Sequence, residues 1–398
     1  MNSIAKIHKS ICTGCGLCAT ICPHHAIGMM PDEEGFLSPI RNEKICTDCG
    51  LCLKGCPVVA KEVFMTEDQG YFCCTIADET LLMKSSSGGV FGLLANHFLQ
   101  TGDWVCGCLY DDSMTPIHIL TNQAEIVEKM YGSKYVQSQC FDCFPQIKEK
   151  LEEGNRVLFT GTACQVAALR GYLHKEYSNL FTAEILCHGV PSPELFKKYV
   201  AYLGKKLQGQ VLDVQFRNKE RDGWGSEHRT CVIYRNKNGK ICKYRPILPA
   251  YFSAFFYGLN LRLSCYTCHF ATPNRVADIT LGDYWGFWRK YGKRFDKGIS
   301  VVSVNSKKGK TIADIIKQGS VFFDELTQQE AMWSNDNFNH PVSCPPERND
   351  FYKDQKQYRG IWEKTYFTKT YRKKTLQSLY GCLIPAKIRF AIQKMKRR

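Results

Sequence analysis

At 398 residues, with 44% hydrophobic and 23% charged side chains, the chain is too long for one small domain and has an ordinary globular composition. No run approaches the roughly 18 consecutive apolar residues that span a bilayer, the most apolar stretch being Pro249 to Leu261, and no apolar run follows the first lysines as in a secretory leader. The expected setting is the cytoplasm, where disulfides are rare, so the 22 cysteines point to metal or redox chemistry.

In chain order the first pattern is Cys12, Cys15, Cys18 and Cys22, a C-x2-C-x2-C-x3-C run closed by Pro23. It recurs as Cys46, Cys49, Cys52 and Cys56, closed by Pro57. A doubled run of this kind marks a bacterial two-cluster ferredoxin, in which the fourth cysteine of each run crosses to the other cluster. Cys12, Cys15, Cys18 and Cys56 are therefore expected to hold one 4Fe-4S cluster, and Cys46, Cys49, Cys52 and Cys22 the second. Zinc favours two separated C-x2-C pairs and does not explain two complete runs with matched prolines. The thiolate count is complete without His24 and His25, which are read as surface residues. Gly14, Gly16 and Ala19 also satisfy G-x-G-x-x-A, but that dinucleotide fingerprint must follow a strand and open a helix, and here it is interleaved with cluster ligands. Residues 1–64 are assigned to an α+β ferredoxin-like domain.

Beyond about residue 65, apolar runs alternate with helix-like segments, which predicts an α/β body. Ser85, Ser86, Ser87, Gly88 and Gly89 precede Val90, Phe91, Leu94 and Phe98, spaced for a helix with one buried face. The serine and glycine start is either an ordinary cap or a phosphate-binding helix end. Val157 to Thr160 suits a buried strand leading through Gly161 and Thr162 to Cys164, Gln165 and an apolar helix. Phe181 to Leu186 suits a second strand ending at Cys187, His188 and Gly189. Cys265 and Cys268 form a C-x2-C pair after the aromatic segment Tyr251 to Tyr257. Ligands collect at the carboxyl ends of strands in open α/β sheets, so Cys164, Cys187, Cys265 and Cys268 are the candidate ligands of a third 4Fe-4S cluster. A zinc site, a redox-active thiol pair and plain buried cysteines are the rival readings. Cys140 and Cys143 compete for the same role without a strand end or a second pair beside them. Cys73, Cys74, Cys106, Cys108, Cys231, Cys242, Cys344 and Cys382 are taken as ordinary cysteines.

Six motifs fall in one order: Ser87-Gly88-Gly89-Val90, Gly132 to Ser138, Thr160 to Gln165, Cys187 to Ser192, Cys265-x2-Cys268, and Asp278 to Gly286. On these the body resembles the beta-subunit family of coenzyme F420 hydrogenases and dehydrogenases, which includes related chlorophyll-pathway reductases. With the ferredoxin front end, the resemblance covers about residues 1–345. It implies a flavin, FAD, beside an iron-sulfur cluster in an α/β flavin/iron-sulfur body, with electrons passing between the clusters and a two-electron acceptor or donor. Clusters carry single electrons and organic substrates usually need pairs, so a flavin is a natural exchanger. The resemblance places Ser87, Gly88 and Gly89 near the flavin's phosphates, and Lys134, Gln137 and Ser138 against the flavin itself. His188 is the candidate proton donor, with a core or capping histidine as the ordinary alternative. Asp283 and Trp285 are candidates for the catalytic wall, with a buried structural tryptophan as the alternative. Ala163 departs from the family pattern, where proline is usual, and is expected to relax the loop before Cys164.

Residues 65–155 and 156–345 are read as the N- and C-terminal parts of this body, and 346–398 as a basic tail. Residues 351–398 hold 14 Lys and Arg against Asp354 and Glu363, which is most of the formal net charge of +15. Leu376 to Arg398 mixes apolar and basic residues and could lie on an anionic membrane, a partner protein or the body itself. No nucleic-acid motif accompanies the charge. Two function classes follow: a flavin-dependent reductase acting on its own small organic substrate, and an electron-relay subunit serving a larger hydrogenase, dehydrogenase or biosynthetic complex.

Overall fold

The computed structural model describes residues 3–4, 7–59, 70–221, 223–224, 230–246, 250–292, 295–333 and 335–357. The segment Leu376 to Arg398, with its expected membrane or partner contact, lies outside the described residues. Among the described residues no helix is long and apolar enough to cross a membrane.

The two cysteine runs fold alike. Gly16 (φ 75°) and Gly50 (φ 79°) adopt the left-handed conformation that glycine tolerates and open the one-turn helices Leu17–Thr20 and Leu51–Lys54, which bury Cys18 and Cys52. Between them β1 (Ile27–Pro31) and β2 (Leu37–Arg41) form an antiparallel hairpin. The small core of this unit is Ile4, Ala26 and Ile27 with Cys18, Cys22, Cys52 and Cys56. Over half of those side chains are thiols, so the unit's cohesion depends on what the thiols bind, as in other domains too small for a full apolar core.

The body is built on β3 (Gly70–Ile76), β4 (Trp104–Tyr110), β5 (Pro116–Thr121), β6 (Val157–Thr162), β7 (Leu180–Ile185), β11 (Ile279–Asp283), β12 (Ser300–Val304) and β13 (Ser320–Leu326). They form one mixed sheet of order β13-β3-β12-β11-β7-β6-β4-β5. The centre, β11-β7-β6-β4, is parallel, and the remaining pairings are antiparallel. Both faces are covered, which is why these strands are continuous apolar runs rather than alternating ones. Phe72, Val105, Leu158 and Val302 pack on helices Val90–Gln100 and Lys307–Gln318. The neighbouring Cys106, Val157 and Phe159 face helices Cys143–Glu152 and Ala163–Leu173. The sheet draws strands from 65–155 and 156–345 alike. A second, antiparallel sheet of β8 (Gly209–Gln215), β9 (Cys231–Asn236) and β10 (Ile241–Tyr244) packs with helices Pro193–Leu207 and Ala250–Phe256 around Tyr199, Phe216 and Tyr251.

The ferredoxin unit is fastened to this body at several points. Leu17 enters the core between the sheet and helices Cys143–Glu152 and Ala163–Leu173. The Arg348 guanidinium donates to both carboxylate oxygens of Glu34, at 2.9 and 2.6 Å. Two glycines also permit close approach: a Cβ on Gly171 would stand 2.7 Å from the Gly55 carbonyl oxygen, where backbone meets backbone, and one on Gly16 would stand 1.9 Å from the Phe141 side-chain ring. Gly16→Ala therefore combines a left-handed penalty with overpacking and is expected to destabilise the anaerobic protein by about 2–5 kcal/mol in denaturant titration. Gly28→Ala, at a position with nothing within 4 Å, should stay within about 0.5 kcal/mol of the parent in the same titration.

Candidate redox site

Cys12, Cys15, Cys18 and Cys56 come together around a small apolar cavity closed by Ile4, Leu17, Met29, Pro39 and Val58. Burial pushes the Cys15 thiol up to about 12, and Cys56 and Cys12 act on it in the same sense. Cys52 is raised first by burial and then by Cys22 and Cys46. Cys56 thus lies with the first run's thiols and Cys22 beside Cys52 of the second. Thiols in such a site ionise only with a strong positive partner, which a cluster's iron supplies. Each set has two buried thiols, Cys18 and Cys56 in one and Cys22 and Cys52 in the other, and the sets differ in wetness at Cys49, the exposed member of the second.

A second cavity, of about 810 Å³, opens at the carboxyl ends of the parallel strands, where β6 delivers Thr160 to Thr162, β7 delivers Cys187 and His188, and β11 delivers Gly282 and Asp283. Thr13, Gly14 and Cys15 line both cavities. One ligand loop of the ferredoxin unit is therefore the partition between its cluster cavity and the cavity of the body. Gln137 braces this partition by donating from Nε2 to the Thr13 carbonyl at 3.0 Å.

Ser87, Gly89, Lys134, Gln137, Ser138, His188 and Asp283 all line the large cavity, whereas Gly88 stands behind its wall. Gly88 is there for packing, since a Cβ would lie 2.4 Å from the Cys74 carbonyl oxygen and 2.6 Å from the Ser300 nitrogen. The serines do not cap the helix that follows. Ser85 Oγ donates to the Leu81 carbonyl, Ser86 Oγ accepts from the Ser133 amide, and Ser87 Oγ donates to the Ile299 carbonyl. Helix Val90–Gln100 thus starts at Gly89 without a side-chain cap, and its first residues border the cavity. Lys134 spends its three ammonium protons on the carbonyls of Lys129, Tyr131 and Gly132, at 2.9 to 3.1 Å, which closes the end of helix Ala124–Met130. Ser138 accepts from Gln165 Nε2 at 3.0 Å.

The other four thiols converge beside this cavity. A bridge between Pro191 and Leu261, and a hydrogen bond from the Arg262 amide to the Val190 carbonyl, lay the Cys187 loop on the Cys265 segment. A Cβ on Gly189 would come within 3.2 Å of Cys265 Cβ. Burial raises the Cys187 thiol, with Cys265 and Cys268 next in effect, and Cys164 is raised by burial with Cys268 and Cys187 contributing. Among the described residues no three His, Cys, Asp or Glu are gathered tightly enough for a single metal ion, and this applies equally to the eight ferredoxin cysteines. Before Cys164, Thr162 and Gln165 form a reciprocal capping box, so the loop stays ordered with Ala163 at the first helical position, where proline would also fit. Cys140 and Cys143 are buried and turn to backbone: Cys140 Sγ donates to the Cys15 carbonyl at 3.8 Å and Cys143 Sγ to the His118 carbonyl at 2.8 Å.

The family model for the C terminus of the coenzyme F420 hydrogenase/dehydrogenase beta subunit matches residues 154–329, and that of a 4Fe-4S dicluster domain matches residues 11–60. The chain belongs to the coenzyme F420 hydrogenase/dehydrogenase beta subunit family. As a member of that family with a dicluster domain, it is an iron-sulfur electron-transfer protein of the oxidoreductase class. No curated protein matches it. A chain of the xenon-derivatized F420-reducing [NiFe] hydrogenase complex from Methanosarcina barkeri aligns over 77% of this chain and 93% of its own, at 16% identity and a TM-score of 0.41, too low to equate the two folds.

In this beta-subunit body the sequence did not single out Arg217, Lys219 or Trp224. Asp283 accepts from Arg217 at 3.1 Å and from Trp224 Nε1 at 3.0 Å, so its carboxylate is tied into the wall. Trp224 stacks on Trp285 with ring centroids 4.8 Å apart, and the Arg217 guanidinium lies 5.1 Å from the Trp285 ring. Arg217 NH2 and His188 Nε2 are buried without a hydrogen-bond partner. Burial pushes the Lys219 ammonium down. It nevertheless donates to three carbonyls, those of Leu82, Ser87 and Lys297 at 2.6 to 2.7 Å, one more than a neutral amine could serve. No short motif surrounds these residues, and only the fold brings β8's end to β11's.

Scaffolding behind the cysteines is equally buried. Glu184 on β7, fully buried, accepts from Arg275 and from the Thr280 hydroxyl, while Arg275 NH1 donates to the Phe270 and Thr272 carbonyls just past Cys268. Removing one member of such a pair strands the other's charge. Glu184→Ala is expected to lower stability by roughly 3–5 kcal/mol, read as a shifted midpoint in anaerobic denaturant titration.

Proposed function

We propose that the protein is an iron-sulfur flavoprotein oxidoreductase, passing electrons between its 4Fe-4S clusters and a two-electron acceptor or donor through a flavin in the body's cavity. The observation that carries this reading is the shared partition: the loop Thr13 to Cys15 has a cluster cavity on one side and a cavity of about 810 Å³ on the other. That volume suits a cofactor together with a substrate. The uncapped start of helix Val90–Gln100 offers free amides and a positive dipole end to the phosphates of FAD. Arg217 NH2 and His188 Nε2 supply buried polar atoms that a ring carbonyl or ring nitrogen would satisfy. The flavin, when bound, supplies exchange between single electrons and electron pairs.

The chain's own residues then divide the work. Cys164, Cys187, Cys265 and Cys268 would hold a third 4Fe-4S cluster between the ferredoxin unit and the flavin. His188, kept neutral by burial, would hold or release a proton at Nε2, the atom without a partner. Asp283 and Tyr135 fix the Arg217 guanidinium, whose stacking on Trp285 keeps it in the wall. The outer reactant is a redox partner protein or a small organic acceptor.

Metal and flavin content test the reading. Anaerobically purified protein should carry about 12 irons with matching acid-labile sulfide, three clusters of four, and one flavin. Cys265→Ala should reduce this to about 8 irons and leave the dicluster signals in place. About 8 irons and no flavin in the parent protein would overturn both the third cluster and the flavin. Steady turnover by the chain alone, with a chemical reductant and candidate acceptors, supports a reductase with its own substrate; strict dependence on a second protein would reassign it as a relay subunit.

A further inference from the structure

Arg262 sits where the ferredoxin unit meets the body and is 3% exposed. Its Nε donates to the Cys12 carbonyl at 2.7 Å, and NH1 donates to the Leu37 carbonyl at 3.0 Å and to Gln137 Oε1 at 3.2 Å. NH2 reaches Ser38 Oγ at 3.4 Å, and the guanidinium stands 5.5 Å from the Phe36 ring. Every one of these acceptors is neutral. Other heavily buried arginines have a carboxylate: Arg275 has Glu184, Arg348 has Glu34 and Arg217 has Asp283. Among the described residues no carboxylate reaches Arg262. Of the three acids bordering the groove beside it, Glu34 is engaged by Arg348, Asp32 accepts the amides of Glu34 and Phe36, and Glu33 is engaged elsewhere.

A guanidinium cannot shed its proton, and a buried charge calls for a counter-charge. On the ferredoxin side the anion nearest Arg262 would be the cluster that Cys12 helps to hold, since a cubane with four thiolates is negative and becomes more so on reduction; on the body side the same charge acts on the Cys265 thiol. The distal site differs. Arg41 approaches Cys46 Sγ at 3.9 Å but also pairs with Asp48 at 2.9 Å and Glu43 at 3.1 Å, so its charge is more than offset.

We propose that Arg262 is a positioning residue for charge, raising the reduction potential of the Cys12, Cys15, Cys18 and Cys56 cluster so that an electron on the dicluster domain rests at the partition. In this step one electron leaves the distal cluster and enters the proximal one, no bond forms or breaks, and no proton moves. The inference rests on the dicluster ligand assignment and does not need the flavin; because Arg262 also acts on Cys265, the titration is made in a Cys265→Ala background, which removes any third-cluster signal.

The test is an EPR-monitored redox titration of the holoprotein with dithionite and mediators, the distal signal being identified by its response to Cys49→Ser. Arg262→Gln should lower the proximal cluster's reduced-to-oxidised ratio at fixed potential about tenfold, equivalent to about 59 mV for one electron. The distal ratio should stay in place, and water around Cys49 should then make the distal cluster the first reduced. Arg262→Lys, which keeps the charge, should retain most of the parent ratio. An unchanged proximal ratio in Arg262→Gln, an equal shift of both clusters, or equal shifts in the Gln and Lys variants would overturn the proposal in favour of a mere latch. Should Arg262→Gln fail to retain iron, Ser38→Asp sets a carboxylate against NH2 and leaves the latch intact. It should lower the proximal ratio in the same way, and an unchanged ratio would overturn the proposal.

Discussion

The contact on which the rest of the structure depends is the bracing of the loop Cys12 to Cys15 by Gln137, at the Thr13 carbonyl, and Arg262, at the Cys12 carbonyl. Electron exchange between two cofactors is useful only if their separation is fixed, and a small domain on a flexible tether would not fix it. Here the loop that closes the first cluster site also closes the body's cavity. The bracing atoms are side-chain donors aimed at backbone carbonyls, an arrangement that survives sequence change in the loop because it reads only main chain. Gly171 against the Gly55 backbone and Gly16 against the Phe141 ring complete the fit by allowing approaches that a methyl group would not.

Much of this was legible in the chain itself. The doubled cysteine runs specify a ferredoxin fold because cubane ligation leaves few alternatives for eight thiols at those spacings. The strands ending at Thr162 and Ile185 were visible as apolar runs of strand length, and the rule that α/β sheets place ligands at strand ends brought Cys164 and Cys187 to one side. Tertiary roles of polar residues were not legible. Lys134 and Gln137 stand in a motif that suggests ligand contact, yet Lys134 plugs a helix end and Gln137 braces the partition. Nothing local distinguishes those uses, because each depends on which carbonyl the fold delivers. Arg217, Lys219 and Arg262 lie outside recognisable motifs for the same reason.

The body shows how a large cavity is kept open within a packed α/β fold. Its wall is held by polar groups tied sideways to one another, Asp283 to Arg217 and Trp224, and Ser138 to Gln165, rather than by groups reaching across the space. Behind that wall, charge is neutralised locally, as where Glu184 meets Arg275 between the strand ends and the Cys268 loop. The two sheets divide the load: the eight-stranded sheet supplies strand ends, and the smaller one, through β8 and the helix Ala250–Phe256, supplies Arg217 and the aromatic side.

The unequal burial of the two ferredoxin sites also bears on how such a protein ages. Cys18, Cys22, Cys52 and Cys56 are all buried in the unit's own core, so the difference between the two sites lies in Cys49, which is exposed. Oxidants attack thiolates and iron where solvent can carry them, so damage enters at the distal site, and the site that shares a wall with the body is reached last. A preparation handled in air would lose its wet cluster while keeping the dry one. Such a protein would keep the site closest to the cavity and lose the one at the far end.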